Sequence, residues 1–178
     1  MNNQVTIRPI AIEDTENIVN WRNSINVRKN LYSQNILTFD QHINYFHNYI
    51  ETGKVIQFII SVIESGIKKD IGTTFIKNID MHSRKAEFGI FIGDDTTRGK
   101  GYGTLATRLT VKYAFEKLLL NRVFLTVHAD NSIAIKAYQN SGFDLEGVLK
   151  QDYLRGSSYI DVAVMGITKD NWSCIYNE

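Results

Sequence analysis

The chain has one proline, Pro9, and one cysteine, Cys174, in 178 residues. A single cysteine excludes an intrachain disulfide and points to a reducing, cytoplasmic setting. With so little proline there is no Pro/Gly/Ser-rich linker, and no repeat or low-complexity tract appears. Long apolar runs are also missing. The longest, residues 58–63, is broken by Ser61 and is far too short to cross a bilayer. The opening MNNQVTIRPI lacks a cationic stretch followed by an apolar one, so no signal peptide is expected. No charge of one sign prevails: 20 Lys and Arg stand against 19 Asp and Glu, a net charge of +1. That excludes a broad electrostatic pull toward nucleic acid or an anionic membrane. His42, His47, His82 and His128 have no ligand spacing with cysteine or carboxylates, so no metal is expected.

What is present is a globular composition, 43% hydrophobic and 22% charged, long enough for one domain over residues 1–178 with a real core. Alternation predicts a strand at 5–8, ended by Pro9. A helix is expected at 14–22, from Ile18, Val19 and Trp21, and another at 39–51, from Ile43, Phe46 and Ile50 with Thr38 or Asp40 as cap. Strands follow at 55–64, 71–79 and 85–93. The last carries Phe88, Ile90 and Ile92 on one face and Glu87, Gly89 and Phe91 on the other. A long helix at 101–120, a strand at 123–128 and a short helix at 132–141 ended by Gly142 come next. Strands 143–153 and 158–167 close the domain around Arg155-Gly156, and a loose tail is expected after about residue 169. This order predicts an α+β fold with a mixed, mostly antiparallel central sheet flanked by helices. Only residues 85–128 offer a natural parallel crossover.

The strand-to-helix turn Gly93-Asp-Asp-Thr-Thr-Arg98-Gly99-Lys100-Gly101-Tyr102-Gly103-Thr104 is the first chemical signal. Glycines at alternate positions let the backbone approach a ligand and aim several N–H groups into one space. The helix N-terminus, Arg98 and Lys100 add positive charge, which makes a pyrophosphate cradle. A P-loop would need glycine where Asp94 stands and Ser or Thr where Gly101 stands. A dinucleotide fingerprint from Gly99 would need glycine at Thr104, which disfavours an oxidoreductase. Arg98-Gly99-Lys100-Gly101-Tyr102-Gly103 instead resembles the Arg/Gln-x-x-Gly-x-Gly/Ala signature of the GNAT acetyltransferases. The segment Asn131-Ser-Ile-Ala134-Ile-Lys-Ala-Tyr138-Gln-Asn-Ser-Gly142-Phe143 is similar to that family's Asn-x-x-Ala-x-x-x-Tyr-x-x-x-Gly-Phe pattern.

The resemblance implies a single-domain GNAT-like fold and acetyl-CoA as co-substrate, with transfer of the acetyl group to a primary amine of a small soluble acceptor. It implies that the main chain of Ile90, Phe91 and Ile92 pairs with the pantetheine arm and polarises the thioester carbonyl. This needs the strand to part from its neighbour, which a bulge at Gly89 or Gly93 would permit. Residues Arg98, Gly99, Lys100, Gly101, Tyr102, Gly103 and Thr104 would hold the pyrophosphate. Asn131 would bind the cofactor arm or simply cap its helix. Tyr138 would protonate the leaving thiolate, against the alternative of a core tyrosine. The place where some relatives carry a catalytic glutamate is Thr126 here. Glu87 and His128 are then the candidate bases, directly or through water. A non-catalytic acetyl-CoA-binding module is the reading of another class.

For the acceptor, residues 17–39 hold no carboxylate but three cations, Arg22, Arg28 and Lys29. That favours an anionic acceptor such as a nucleotide-linked amino sugar, with Trp21, Arg22 and Arg28 as its contacts. The Trp-Arg-Asn run with Arg28, Thr38 and His42 resembles the amino-sugar acetyltransferases of the pseudaminic acid pathway and the ribosomal-protein N-terminal acetyltransferases. A protein N-terminus and a polyamine are the alternative acceptors. A homodimer is compatible with the resemblance.

Overall fold

In a computed structural model, residues 4–176 are described. One seven-stranded sheet runs in the order β1-β2-β3-β4-β5-β7-β6. Its strands are β1 (Gln4–Pro9), β2 (Ile56–Glu64), β3 (Ile67–Asp80), β4 (Lys85–Ile92), β5 (Arg122–His128), β6 (Asp144–Arg155) and β7 (Ser158–Thr168). Every neighbouring pair is antiparallel except β4 and β5. That parallel step is made by α4 (Tyr102–Glu116), as the crossover pattern predicted. Pro9 closes the first strand, as expected. It is the last residue of β1 at the sheet's edge, where its missing N–H costs no ladder bond.

The helices divide between the two faces. On one face α4, α5 (Ser132–Gln139) and α6 (Lys169–Tyr176) cover a core of Ile76, Phe88, Val111, Phe115, Leu125, Phe143 and Met165. On the other face α1 (Thr15–Asn23), the four-residue α2 (Ile25–Arg28) and α3 (Phe39–Tyr45) close over Ile10, Ile18, Phe46 and Ile59. Thr38 caps α3, with the Gln41 N–H donating to its hydroxyl at 3.2 Å and the Gln41 side chain accepting from the Thr38 N–H at 2.9 Å. The helix continues as a π-turn at Phe46–Ile50.

The expected loose tail is α6. Trp172 is buried, with its ring centroid 6.0 Å from Phe115 and 4.1 Å from Tyr176, and burial of that indole supplies the apolar area that fastens two turns of helix to α4. Among the described residues no helix is long and apolar enough to cross a membrane.

Candidate active site

β4 and β5 pair over three steps only, Lys85–Arg122, Ala86–Val123 and Glu87–Phe124. Beyond Glu87 the two strands part. The edge of β4 that faces β5 is then left without a strand partner, while its other edge stays in register with β3 through Ile92. The opening therefore exposes those main-chain groups of the segment Ile90–Ile92 that point away from β3, and the parting of the strands that the motif requires is present. The expected cause was different. β4 keeps regular register with β3 through Gly89, so no bulge occurs there, and Gly93 lies just past the last paired residue, Ile92. These glycines instead make room for aromatic rings: a Cβ on Gly89 would sit 2.1 Å from Phe75 Cζ, and one on Gly93 would sit 2.1 Å from Trp21 Cγ.

The glycine turn leads from β4 into the N-terminus of α4. Gly99 and Gly101 have φ of +76° and +80°, with open space where a side chain would project. The first helical N–H with a carbonyl in its own turn is that of Leu105, which donates to Gly101 O at 3.2 Å. The N–H groups of Gly103 and Thr104 therefore have no such partner within the helix and point out of its N-terminus. The backbone thus fits a pyrophosphate. The side chains of the turn serve the turn itself. Arg98 donates to Ile92 O at 2.8 Å and pairs with Asp95 at 2.9 Å. Lys100 and the Tyr102 hydroxyl both reach Glu64 Oε1 at 2.7 Å, and the Tyr102 ring is buried. Asn131 caps α5, its side-chain oxygen accepting from the Ala134 N–H at 3.2 Å.

Across the opening, the sheet's two faces carry different groups. On the α4–α5 face, Tyr138 packs its ring against Phe88 and Phe143 at 6.3 and 6.1 Å. Burial pushes its phenol well above the usual tyrosine range, so it stays protonated. On the other face lie Glu87, His128 and two residues the sequence had not assigned, Tyr32 and Tyr153. The His128 ring stacks on Tyr153 at 4.9 Å and meets the edge of Tyr32 at 4.9 Å. His128 is buried, and burial together with the charge of Arg155 pushes its pKa down. Glu87 is held by Lys77 at 3.1 Å and by the Asn78 amide at 2.8 Å. Burial pushes the Tyr32 phenol up; a hydrogen bond with Thr126 opposes this, and the negative charges of Glu87 and Asp152 add to it. The Tyr32 phenol adds a smaller upward push to that of Tyr138.

The residues expected at the acceptor are split. Trp21 lies on Gly93 at the rim. Two nitrogens of Arg22 donate to Ser33 O at 3.0 Å and Asn35 O at 3.3 Å, and Asn23 exchanges two 2.8 Å bonds with the Leu37 backbone. This pair staples the loop that carries Tyr32. Arg28 lies half-buried on α2. Tyr153 and Asp152 sit where β6 and β7 lose register after Leu149, a bulge that no local pattern announced.

Residues 4–144 match the family model described as an acetyltransferase (GNAT) domain. The spermidine N(1)-acetyltransferase of Vibrio cholerae serotype O1 is 28% identical over 172 residues, 97% of either chain. That of Escherichia coli (strain K12) is 27% identical over 155 residues, 87% of this chain and 81% of the other. The crystal structure of spermidine N-acetyltransferase from Vibrio cholerae in complex with CoA and spermine superposes with a TM-score of 0.86 at 27% identity, over 95% of this chain and 98% of that one. The glycine turn, the parted strands and these matches give one conclusion: the chain belongs to the GNAT acetyltransferases and is an acetyl-CoA-dependent N-acetyltransferase.

Proposed function

We propose that the acceptor is an aliphatic polyamine of the spermidine class, acetylated on a terminal amine. The observation that carries this is similarity to a spermidine acetyltransferase along 97% of both chains. The charge around Tyr32 supports it, because Glu87 and Asp152 both place negative charge at that phenol. The amino sugar that the cations of residues 17–39 favoured gives way. Arg22 is bonded to the carbonyls of Ser33 and Asn35, and carboxylates arrive from β4 and β6 instead.

In this reading an ammonium approaches on the face of Glu87, Tyr32 and His128. Glu87 draws it in and takes its proton, directly or through water, since an alkyl ammonium with a pKa near ~10 cannot attack. His128, low in pKa and wedged between two tyrosines, lines the aromatic wall and is the alternative base. The acetyl group is presented between β4 and β5, where main-chain N–H groups of Ile90–Ile92 meet the charge that develops on its oxygen. Tyr138, neutral on the opposite face, gives its proton to the departing thiolate.

The test measures free thiol released from acetyl-CoA with spermidine, UDP-linked 4-amino sugars and short peptides with free N-termini. Turnover of spermidine alone is expected. Turnover of a peptide or an amino sugar in its place would overturn the acceptor. Binding of acetyl-CoA without turnover of any of the three would return the non-catalytic module.

A further inference from the structure

β3 and β4 do not keep register to the end of their hairpin. Lys77 stands opposite Glu87, and the next pair is Asp80 with Lys85, so two residues of β3, Asn78 and Ile79, face Ala86 alone. This is a β-bulge, and Asn78 has φ of +52° within it. Successive side chains of a regular strand point to opposite faces. Lys77 and Asn78 should therefore not reach the same group. The bulge brings them together. Lys77 Nζ lies 3.1 Å from Glu87 Oε1, and Asn78 Nδ2 donates to Glu87 Oε2 at 2.8 Å. Both oxygens of one carboxylate are thus gripped by consecutive residues of the neighbouring strand.

Stability alone does not account for this. A partly exposed ion pair contributes little, and asparagine is one of the few side chains that tolerates the left-handed backbone of the bulge while still carrying an amide donor that reaches Glu87. Bulges are over-represented next to active sites, where they re-aim a side chain. Glu87 is also the last β4 residue paired with β5 before the strands part.

We propose that Lys77 and Asn78 are positioning residues for acetyl transfer, and that the β3 bulge exists to hold the Glu87 carboxylate in one orientation toward the incoming ammonium. This rests on the assignment of Glu87 to the amine side of the reaction. The pair fixes which way the carboxylate faces, and both residues act on the amine only through Glu87. Because Lys77 is itself an ammonium on Glu87, the site already displays the contact that a cationic acceptor would make.

The experiment uses the full chain with spermidine, or whichever of the three amine classes above the wild type turns over. Asn78→Gly keeps the left-handed backbone and removes the amide. Asn78→Asp keeps the shape and turns a donor toward Glu87 into an acceptor. Lys77→Met removes the charge, and Lys77→Arg restores it. We expect kcat/KM for the amine to fall about tenfold in Asn78→Gly and Lys77→Met and further in Asn78→Asp. The KM for acetyl-CoA and the melting temperature should stay at wild-type values, and Lys77→Arg should recover part of the loss. In a Glu87→Gln background these substitutions should add nothing. Wild-type kinetics in the Lys77 and Asn78 variants, with Glu87→Gln impaired, would overturn the positioning role alone. So would losses that follow the melting temperature and affect both substrates equally. Wild-type turnover by Glu87→Gln would overturn the assignment of Glu87, and the positioning role with it.

Discussion

Replacing Tyr138 by phenylalanine removes one oxygen and leaves the ring. That ring is what packs against Phe88 and Phe143, with centroids 6.3 and 6.1 Å away, so the α5 interface should survive. The melting temperature should therefore move by no more than a few degrees. What disappears is a proton donor that burial keeps protonated. General acid catalysis by a positioned side chain is worth about 10²- to 10⁴-fold. With the main-chain N–H groups of the thioester site intact, a loss near the lower end is expected. A fall in kcat of about 10²-fold corresponds to ~2.7 kcal/mol of transition-state stabilisation. The assay is steady-state CoA release with spermidine, alongside calorimetric titration with CoA, whose dissociation constant should not change. The pH dependence gives an independent check. A tyrosine with the usual pKa of ~10 would lose its proton, and the enzyme its acid, as the pH passes that value. Because the folded-state value is raised, the neutral form persists beyond it, and wild-type kcat should show no descending limb from this group at pH ~10. A Tyr138→Phe enzyme with unchanged kcat and an unchanged pH profile would show that the thiolate leaves without this phenol.

Three further substitutions probe the framework. Trp172→Ala should lower stability by roughly 3–5 kcal/mol in urea unfolding, because the indole is only 6% exposed against Phe115 and Tyr176; a change under ~1 kcal/mol would mean α6 is not fastened by it. Gly89→Ala places a methyl 2.1 Å from Phe75 Cζ and should cost about 1–3 kcal/mol and distort β4 at the thioester site, with Phe75→Leu in the same chain relieving both defects. Asp14 is pushed up by burial, but hydrogen bonds from Arg8 and the Ala11 N–H and the Arg8 charge outweigh this and hold it below the usual carboxylate value. Its stabilisation is therefore complete above pH ~4 and lost as pH falls through the lower folded value, so Asp14→Asn should destabilise at pH 7 and much less at pH 3. His42, lowered by burial, adds an earlier loss that begins as pH falls below ~6.5, where the unfolded chain takes up a proton that the folded one resists. A stability curve flat from pH 7 to pH 5 in the wild type would contradict that.

The parts legible in the sequence are those whose determinants are contiguous. The glycine turn, the helix after it and the Asn131-to-Phe143 segment each carry their own signal within a dozen residues, and β4 shows its two faces by alternation. The crossover from β4 to β5 follows from chirality once those elements are placed. What was missed depends on partners distant in the chain. α6 is two turns long and has one strong anchor, Trp172, whose value depends on Phe115 lying beneath it. The only local sign was Thr168, whose hydroxyl accepts from the Asn171 N–H at 3.3 Å. α2 spans four residues, too few for any period to appear.

The acceptor face shows the same limit in electrostatic form. Counting charges along residues 17–39 gives only cations, and the count suggests an anion-binding pocket. The fold cancels that inference in two steps. Arg22 turns onto the carbonyls of Ser33 and Asn35, where it fixes a loop and is not aimed at a ligand. Tyr32, at the near end of that loop, is then set against the stacked rings of His128 and Tyr153, where the negative charge comes from Glu87 on β4 and Asp152 on β6. The sign of a site's field is set by the charges within roughly a Debye length in space, about 8–10 Å at physiological ionic strength, whatever their distance in sequence. In the polyamine reading proposed above, the bulges that place Asn78 on Glu87 and bring Asp152 and Tyr153 beside Tyr32 belong to acceptor recognition as much as any residue in the loop itself.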